Sequence, residues 1–302
     1  MSRRVEQKAQ ARERVAALRA QQQRAERRKR LLIAVGAVVA VVVVVGGLVL
    51  IKVAGGGDNK TATGPSGAAD AQIVSALSSI PAETFAKVGS NDVQAAPSAI
   101  TAPALTADGK PRVLYIGAEF CPYCAAERWP VSVALSRFGT FSNLGTTHSA
   151  SEDVFPNTPT LSFHGAKYTS QWLSFTGLET TTNEKGADGQ YKPLDTPSAA
   201  DDQIFKTYNA PPYVKTGGSI PFIDLGGKFV GSGATYSPEI LAGKTQAEIA
   251  EALKDPSSPI AKAVDASANV YTAAICGITN NQPAAVCSTD AVKAAAGKLG
   301  KA

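Results

Sequence analysis

The sequence predicts an α/β domain that follows a single transmembrane helix, and three observations carry that reading. Val113-Leu114-Tyr115-Ile116 is a short apolar strand that runs through Gly117–Phe120 into Cys121-Pro122-Tyr123-Cys124, and Ala125 to about Phe138 then has helical composition. Ser219-Ile220-Pro221-Phe222-Ile223 is a second apolar strand interrupted by a proline, and Leu225-Gly226-Gly227 turns it into Lys228-Phe229-Val230. Leu31–Ile51 is an uncharged run of twenty-one residues.

That run spans roughly 30 Å as a helix, the thickness of a bilayer hydrocarbon core. A cleaved signal peptide is the competing reading; its apolar core of about 7–15 residues behind a short basic region fits poorly. Eleven Lys and Arg stand against three acids in residues 1–30, so the other 272 residues carry nineteen against twenty-two and the net charge of +5 belongs to the arm. A basic nucleic-acid-binding domain is thereby excluded for the bulk of the chain. Arg27, Arg28, Lys29 and Arg30 abut the apolar run, and only Lys52 follows it closely. The positive-inside rule places the N-terminus in the cytoplasm and the remainder outside, in a single-pass arrangement. Residues 1–30 read as a topogenic arm that meets anionic lipid, 31–53 as the membrane helix, and 54–69, rich in Gly, Ser and Thr, as a flexible tether with a span of ~20–25 Å.

The extracytoplasmic domain is expected over residues 70–302. Ile73, Val74, Leu77, Ile80 and Phe85 suggest a helical or broken-helical segment ending near Gly89, and Thr106–Pro111 is a turn centred on Asp108-Gly109. Between about 139 and 218, Thr160–His164 and Tyr168–Thr176 are strand-like, Thr181–Thr196 reads as a loop, and Ala199–Tyr208 as a helix. A helical extension is expected over about 255–302.

The order strand, loop, CxxC, helix has a chemical logic. The thiolate is the reactive species, and a free cysteine is mostly protonated at neutral pH. A cysteine at a helix N-terminus meets unpaired N–H groups and the positive end of the dipole. Pro122 suits the first turn, where a missing N–H costs little. Cys124 returns one turn later and can attack a mixed disulfide at Cys121. An inert disulfide and a zinc half-site are the alternatives. The metal reading needs two further ligands, and His148, His164 and the distant Cys276 and Cys287 do not supply the spacing, so no metal is assigned.

Taken together, these motifs resemble the thioredoxin superfamily over roughly residues 100–254. Ala118-Glu119-Phe120-Cys121 is similar to the approach to the thioredoxin redox motif, and Pro122-Tyr123 is the dipeptide of typical glutaredoxins. Ile220-Pro221 looks like the family's cis-proline, with a hairpin and a final helix after it. Gly117 to Trp129 (GAEFCPYCAAERW) resembles the motif of an uncharacterised thioredoxin-like family of membrane-anchored actinobacterial proteins. The resemblance implies a thioredoxin-like fold with an insertion over about 139–218. It implies Cys121 as nucleophile and Cys124 as resolving thiol. Pro221 with Ile220 would present backbone to an extended substrate, which Pro122 and Tyr123 would also meet. Two departures stand out. The family's buried acid, six residues before the first cysteine, is replaced by Tyr115, which leaves its proton-relay role to Glu119, water or nothing. The 96 residues between Cys124 and Pro221 exceed what a minimal thioredoxin needs.

Arg128 is read as a solvated or paired surface charge that could instead support the thiolate. Trp129 is read as core, Pro130 as a kink, and His148 and His164 as surface or hydrogen-bonded residues. Cys276 and Cys287 flank a Gly/Asn/Pro loop and are expected to form a structural disulfide on the oxidising face; a second redox pair relaying electrons is the alternative. The function expected is a thiol–disulfide oxidoreductase acting on exported protein thiols and disulfides, with a possible membrane redox partner, no nucleic acid and no organic cofactor. A binding or assembly module with a structural disulfide, or a reductase fed by a membrane electron donor, are the rivals.

Overall fold

The computed structural model of the chain describes residues 67–68 and 71–300. The expected basic arm (1–30), the expected membrane helix (31–53) and nearly all of the expected tether (54–69) lie outside the described residues. Among the described residues no helix is long and apolar enough to cross a membrane.

A short strand β1 (Gly67–Ala68) precedes helices α1 (Ala71–Ser78) and α2 (Ala82–Val88), the broken helical segment that ends at Gly89. β2 (Ser98–Ala99) and β3 (Thr106–Ala107) lead into β4 (Lys110–Gly117). Asp108 and Gly109, at φ 52° and 69°, close the β3–β4 turn in the left-handed region that a two-residue hairpin requires. Val113, Leu114, Tyr115 and Ile116 are all buried, the near-continuous apolar run of a strand covered on both faces. Helix α3 (Pro122–Ser136) follows and continues through Pro130.

Residues 139–218 hold more strand than the sequence suggests. β5 (Gly139–Ser142), β6 (Gly145–His148), β7 (Pro159–Ser162) and β8 (Lys167–Ser170) form two small antiparallel pairings, β5 with β8 and β6 with β7, with β1 added to β6. The expected strand 168–176 is in fact the end of β8 and the start of β9 (Ser174–Glu179). The expected loop 181–196 is a hairpin of β10 (Thr181–Lys185) and β11 (Tyr191–Pro193), turned at Gly189 with φ 77°. Its strands are polar and half-exposed, so no apolar alternation marked them. Helix α4 (Ala199–Tyr208) lies where expected, with the Ser198 hydroxyl accepting from Asp201 N–H at 3.1 Å as its cap.

The central sheet is mixed. β4 runs parallel to β9 on one side and antiparallel to β12 (Phe222–Leu225) on the other; β12 pairs with β13 (Phe229–Ser232), and β2 adds to the far edge. Leu178 and Phe222 flank Ile116 across this sheet. The segment between the CxxC helix and Pro221 therefore supplies a strand of the sheet itself, alongside its peripheral hairpins.

After a 3-10 turn (Pro238–Leu241), α5 (Gln246–Ala252) begins with a capping box between Thr245 and Glu248. Helices α6 (Pro259–Ile278), α7 (Ala284–Cys287) and α8 (Asp290–Ala296) complete the chain. These helices lie within the expected helical extension, and α6 is buried along most of its length and packs against α3. Trp129, Tyr115, Val113, Ile223, Leu225, Val264 and Ala268 share one apolar cluster. On the opposite side of the sheet, Phe205 of α4 meets Phe222 edge-on at 5.5 Å.

Candidate functional site

Cys121 sits where β4 gives way to α3. Its extended backbone (φ −75°, ψ 121°) makes it the N-cap, and its sulfur accepts the Cys124 N–H at 3.2 Å. Pro122 takes the first helical position, where no N–H is needed. Both cysteines are free thiols. Cys121 keeps 5% of its surface exposed and Cys124 none. The hydrogen bond from Cys124 holds the Cys121 thiol below its ordinary pKa against the opposing effect of burial, helped by backbone N–H groups and the charge of Arg128. Burial pushes Cys124 well above its ordinary value, and its proximity to Cys121 adds to the rise. The pair is thus split into an outer sulfur that ionises readily and an inner one that keeps its proton.

The peptide bond between Ile220 and Pro221 is cis, and the Ile220 carbonyl lies 3.9 Å from the Cys121 sulfur. The loop is held on both sides. Asn209, buried at the end of α4, donates to the Ser219 carbonyl at 2.8 Å, and Gly233 N–H donates to the Pro221 carbonyl at 2.8 Å. Glu127 ties α3 to the chain beyond that loop by accepting from Thr235 N–H at 2.8 Å, from the Thr235 hydroxyl at 2.9 Å and from the Tyr271 hydroxyl.

The 139–218 segment forms the remaining wall. Ala150 N–H donates to the Phe120 carbonyl at 2.8 Å, and the Phe120 ring stacks on Tyr191 of β11 at 4.2 Å with an interplanar angle of 5°. Tyr123 is 42% exposed and touches Phe155 edge-on at 5.8 Å, so it lies beside the thiols with a face open to solvent. Glu119 is buried; its N–H donates to the Thr181 carbonyl and its carboxylate accepts the Ser162 hydroxyl at 2.6 Å. Tyr115 occupies the position where the resemblance expects an acid, and its hydroxyl reaches the Cys124 carbonyl at 3.5 Å.

Arg128 is not the surface charge expected from the sequence. It is fully buried, because β9 brings Glu179 alongside α3. Its Nε and Nη2 donate to the two Glu179 oxygens at 2.7 and 2.6 Å, and Nη2 also donates to the Ala118 carbonyl at 2.7 Å. Its Nη1 has no hydrogen-bond partner among the described residues. Burial works against the guanidinium's charge, but the Glu179 carboxylate and its neighbours outweigh it and set its pKa well above the ordinary value. No local pattern in the sequence pointed to Glu179, which is 51 residues from its partner.

Trp129 is core, and its indole N–H donates to the Pro159 carbonyl at 3.1 Å. His164 Nδ1 lies 2.8 Å from Asp195, and His148 Nδ1 lies 2.9 Å from the Ser149 carbonyl. Cys276 of α6 and Cys287 of α7 form a disulfide. Among the described residues no group of three or more His, Cys, Asp or Glu is placed to hold a metal ion.

Residues 97–195 match the model of a family described as a domain of unknown function, DUF929. The match takes in the CxxC helix and the β10–β11 hairpin and ends before Pro221. No curated protein and no solved structure matches the chain.

Proposed function

We propose that residues 70–302 form a thioredoxin-like domain and that the protein is a membrane-tethered thiol–disulfide oxidoreductase acting on exported proteins. The observation that carries the reading is the Cys124 N–H bonded to the Cys121 sulfur at the start of α3, beside the Ile220 carbonyl. Several features support the fold: the CxxC between β4 and α3, Pro221 next to it, the β12–β13 hairpin after it, and helices beyond. Cys121 is the exchanging sulfur: as nucleophile of the reduced pair it forms a mixed disulfide with the substrate that Cys124 resolves, and in the oxidising direction a substrate thiolate attacks it to reach the same mixed disulfide. Ile220 and Pro221 offer backbone to an extended substrate, and the exposed Tyr123 ring offers it an apolar contact. An extracytoplasmic compartment favours oxidation or isomerisation, since exported cysteines must be paired.

The test equilibrates the full-length protein in detergent micelles with graded reduced and oxidised glutathione and reads the Cys121–Cys124 state by alkylation and mass spectrometry. A defined equilibrium constant, lost in Cys121→Ser, is the expected result. A folded protein whose pair never exchanges would replace this reading with that of a binding module.

A further inference from the structure

Cys121, Cys124 and Arg128 stand at positions i, i+3 and i+7 of one helical segment, a spacing that returns to the same face. The Ala118 carbonyl joins them through a single atom, since it accepts both the Cys121 N–H at 3.3 Å and Arg128 Nη2 at 2.7 Å. The guanidinium is thus buried directly behind the CxxC loop, with one carboxylate partner and, among the described residues, one nitrogen unpartnered. We infer that Arg128, clamped by Glu179, is the buried positive charge that favours the reduced, thiolate form of the Cys121–Cys124 pair and so makes its disulfide an oxidant of substrate dithiols.

The disulfide carries no charge, whereas the reduced pair carries a thiolate at Cys121, and only the second gains from a cation in a poorly screened interior. The groups that face the Arg128 charge are Glu179, Tyr115 and the two cysteines. Tyr115 is uncharged, its hydroxyl pushed well above its ordinary pKa by burial. Glu119, whose carboxyl group accepts the Ser162 hydroxyl, faces Glu179. Stabilising the reduced form raises the potential of a dithiol pair. The inference rests on the oxidoreductase reading and fixes the direction that reading leaves open.

The exchange balances in two steps. A substrate thiolate attacks the Cys121 sulfur, the Cys121–Cys124 bond breaks, and Cys124 leaves with the electron pair and takes up a proton. The second substrate thiolate attacks the substrate sulfur of the mixed disulfide, the substrate disulfide forms, and Cys121 leaves as thiolate. Two electrons pass from substrate to protein; of the two protons released, one ends on Cys124 and the other in solvent. Oxidised glutathione regenerates the disulfide in the assay.

Charge substitutions of opposite sign test this in the full-length protein. Arg128→Met/Glu179→Gln removes the cation without leaving a lone buried carboxylate. It is expected to shift the glutathione equilibrium severalfold toward the protein disulfide and to move the Cys121 thiolate absorbance to higher pH. Glu179→Gln alone unmasks the cation and is expected to shift both readouts the other way, and Arg128→Lys is expected to retain most of the wild-type constant. A merely structural role for Arg128 moves none of these with sign. Equal constants in folded variants, or shifts in the same direction for Glu179→Gln and the double variant, overturn the inference; if the double variant does not fold, the direction of the Glu179→Gln shift decides alone. A wild-type pair that never exchanges overturns the oxidoreductase reading instead, so the two failures are distinguishable.

Discussion

Glu127 is a carboxyl fully buried between α3, Thr235 and Tyr271, and replacing it with Gln keeps its shape while removing its ability to ionise. Burial raises it from 4.5 to about 7, against the hydrogen bonds from Tyr271 and Thr235 that favour the charged form. As pH rises from about 4.5 to about 7, the unfolded chain gives up this proton before the folded one does, so the folded state loses stability across that window. With each pKa unit worth about 1.36 kcal/mol, the rise corresponds to about 3 kcal/mol between about pH 4 and about pH 9. Urea unfolding of wild type and Glu127→Gln at those two pH values reads the effect as a difference of differences. Other buried acids, such as Asp265, raised by burial to about 8, titrate equally in both proteins and cancel. The variant is expected to gain about 3 kcal/mol on wild type between the two conditions. Parallel pH profiles would refute the argument that this carboxyl resists ionisation.

Three further outcomes follow from the packing. Changing Cys276 and Cys287 together to Ser opens a loop with a separation of 11 residues; it should lower unfolding stability by about 3 kcal/mol in the chain-entropy model while glutathione exchange at Cys121 stays unchanged, and altered exchange would instead support a relay. Trp129→Phe leaves the Pro159 carbonyl without its donor and should cost about 1–3 kcal/mol in denaturant unfolding. Tyr191→Ala removes the ring stacked on Phe120; a loss of about 0.5–1.5 kcal/mol should accompany faster alkylation of Cys121 by iodoacetamide, and an unchanged rate would mean that the hairpin does not wall the thiols.

The parts of the site that were legible in the sequence are local. Cys121, Pro122 and Cys124 fall within one helical turn, and residue type alone suits each to its place. Pro221 stood out because a proline interrupted an apolar run, and the structure puts it just before β12, beside Cys121. What was not legible depends on contacts between distant segments. Arg128 reads as a surface charge until β9 is known to lie parallel to β4, which brings Glu179 to it. The same holds for α6, which the sequence marks only as part of a helical extension. In the folded chain Asn269 donates to the Phe85 and Gly89 carbonyls at 3.0 and 2.8 Å, and Arg137 donates to both Asn269 and Thr272. These polar groups join α6 to α2 and to the end of α3, which makes it part of the interior. The β10–β11 hairpin did leave a signal in the β-branched Thr181-Thr182, in Tyr191 and in the Asp188-Gly189 turn. Asn183, Glu184 and Lys185 between them carried the pattern of a loop.

The roles of the two thiols are tested most directly with oxidised glutathione and two single variants of the full-length protein. Cys124→Ser removes the resolving thiol and should stall as a glutathione mixed disulfide at Cys121, identified by mass, with Cys276–Cys287 intact. Cys121→Ser should form no adduct, because Cys124 is fully enclosed and keeps its proton. An adduct on Cys124 in Cys121→Ser, or none in either folded variant, would contradict the account.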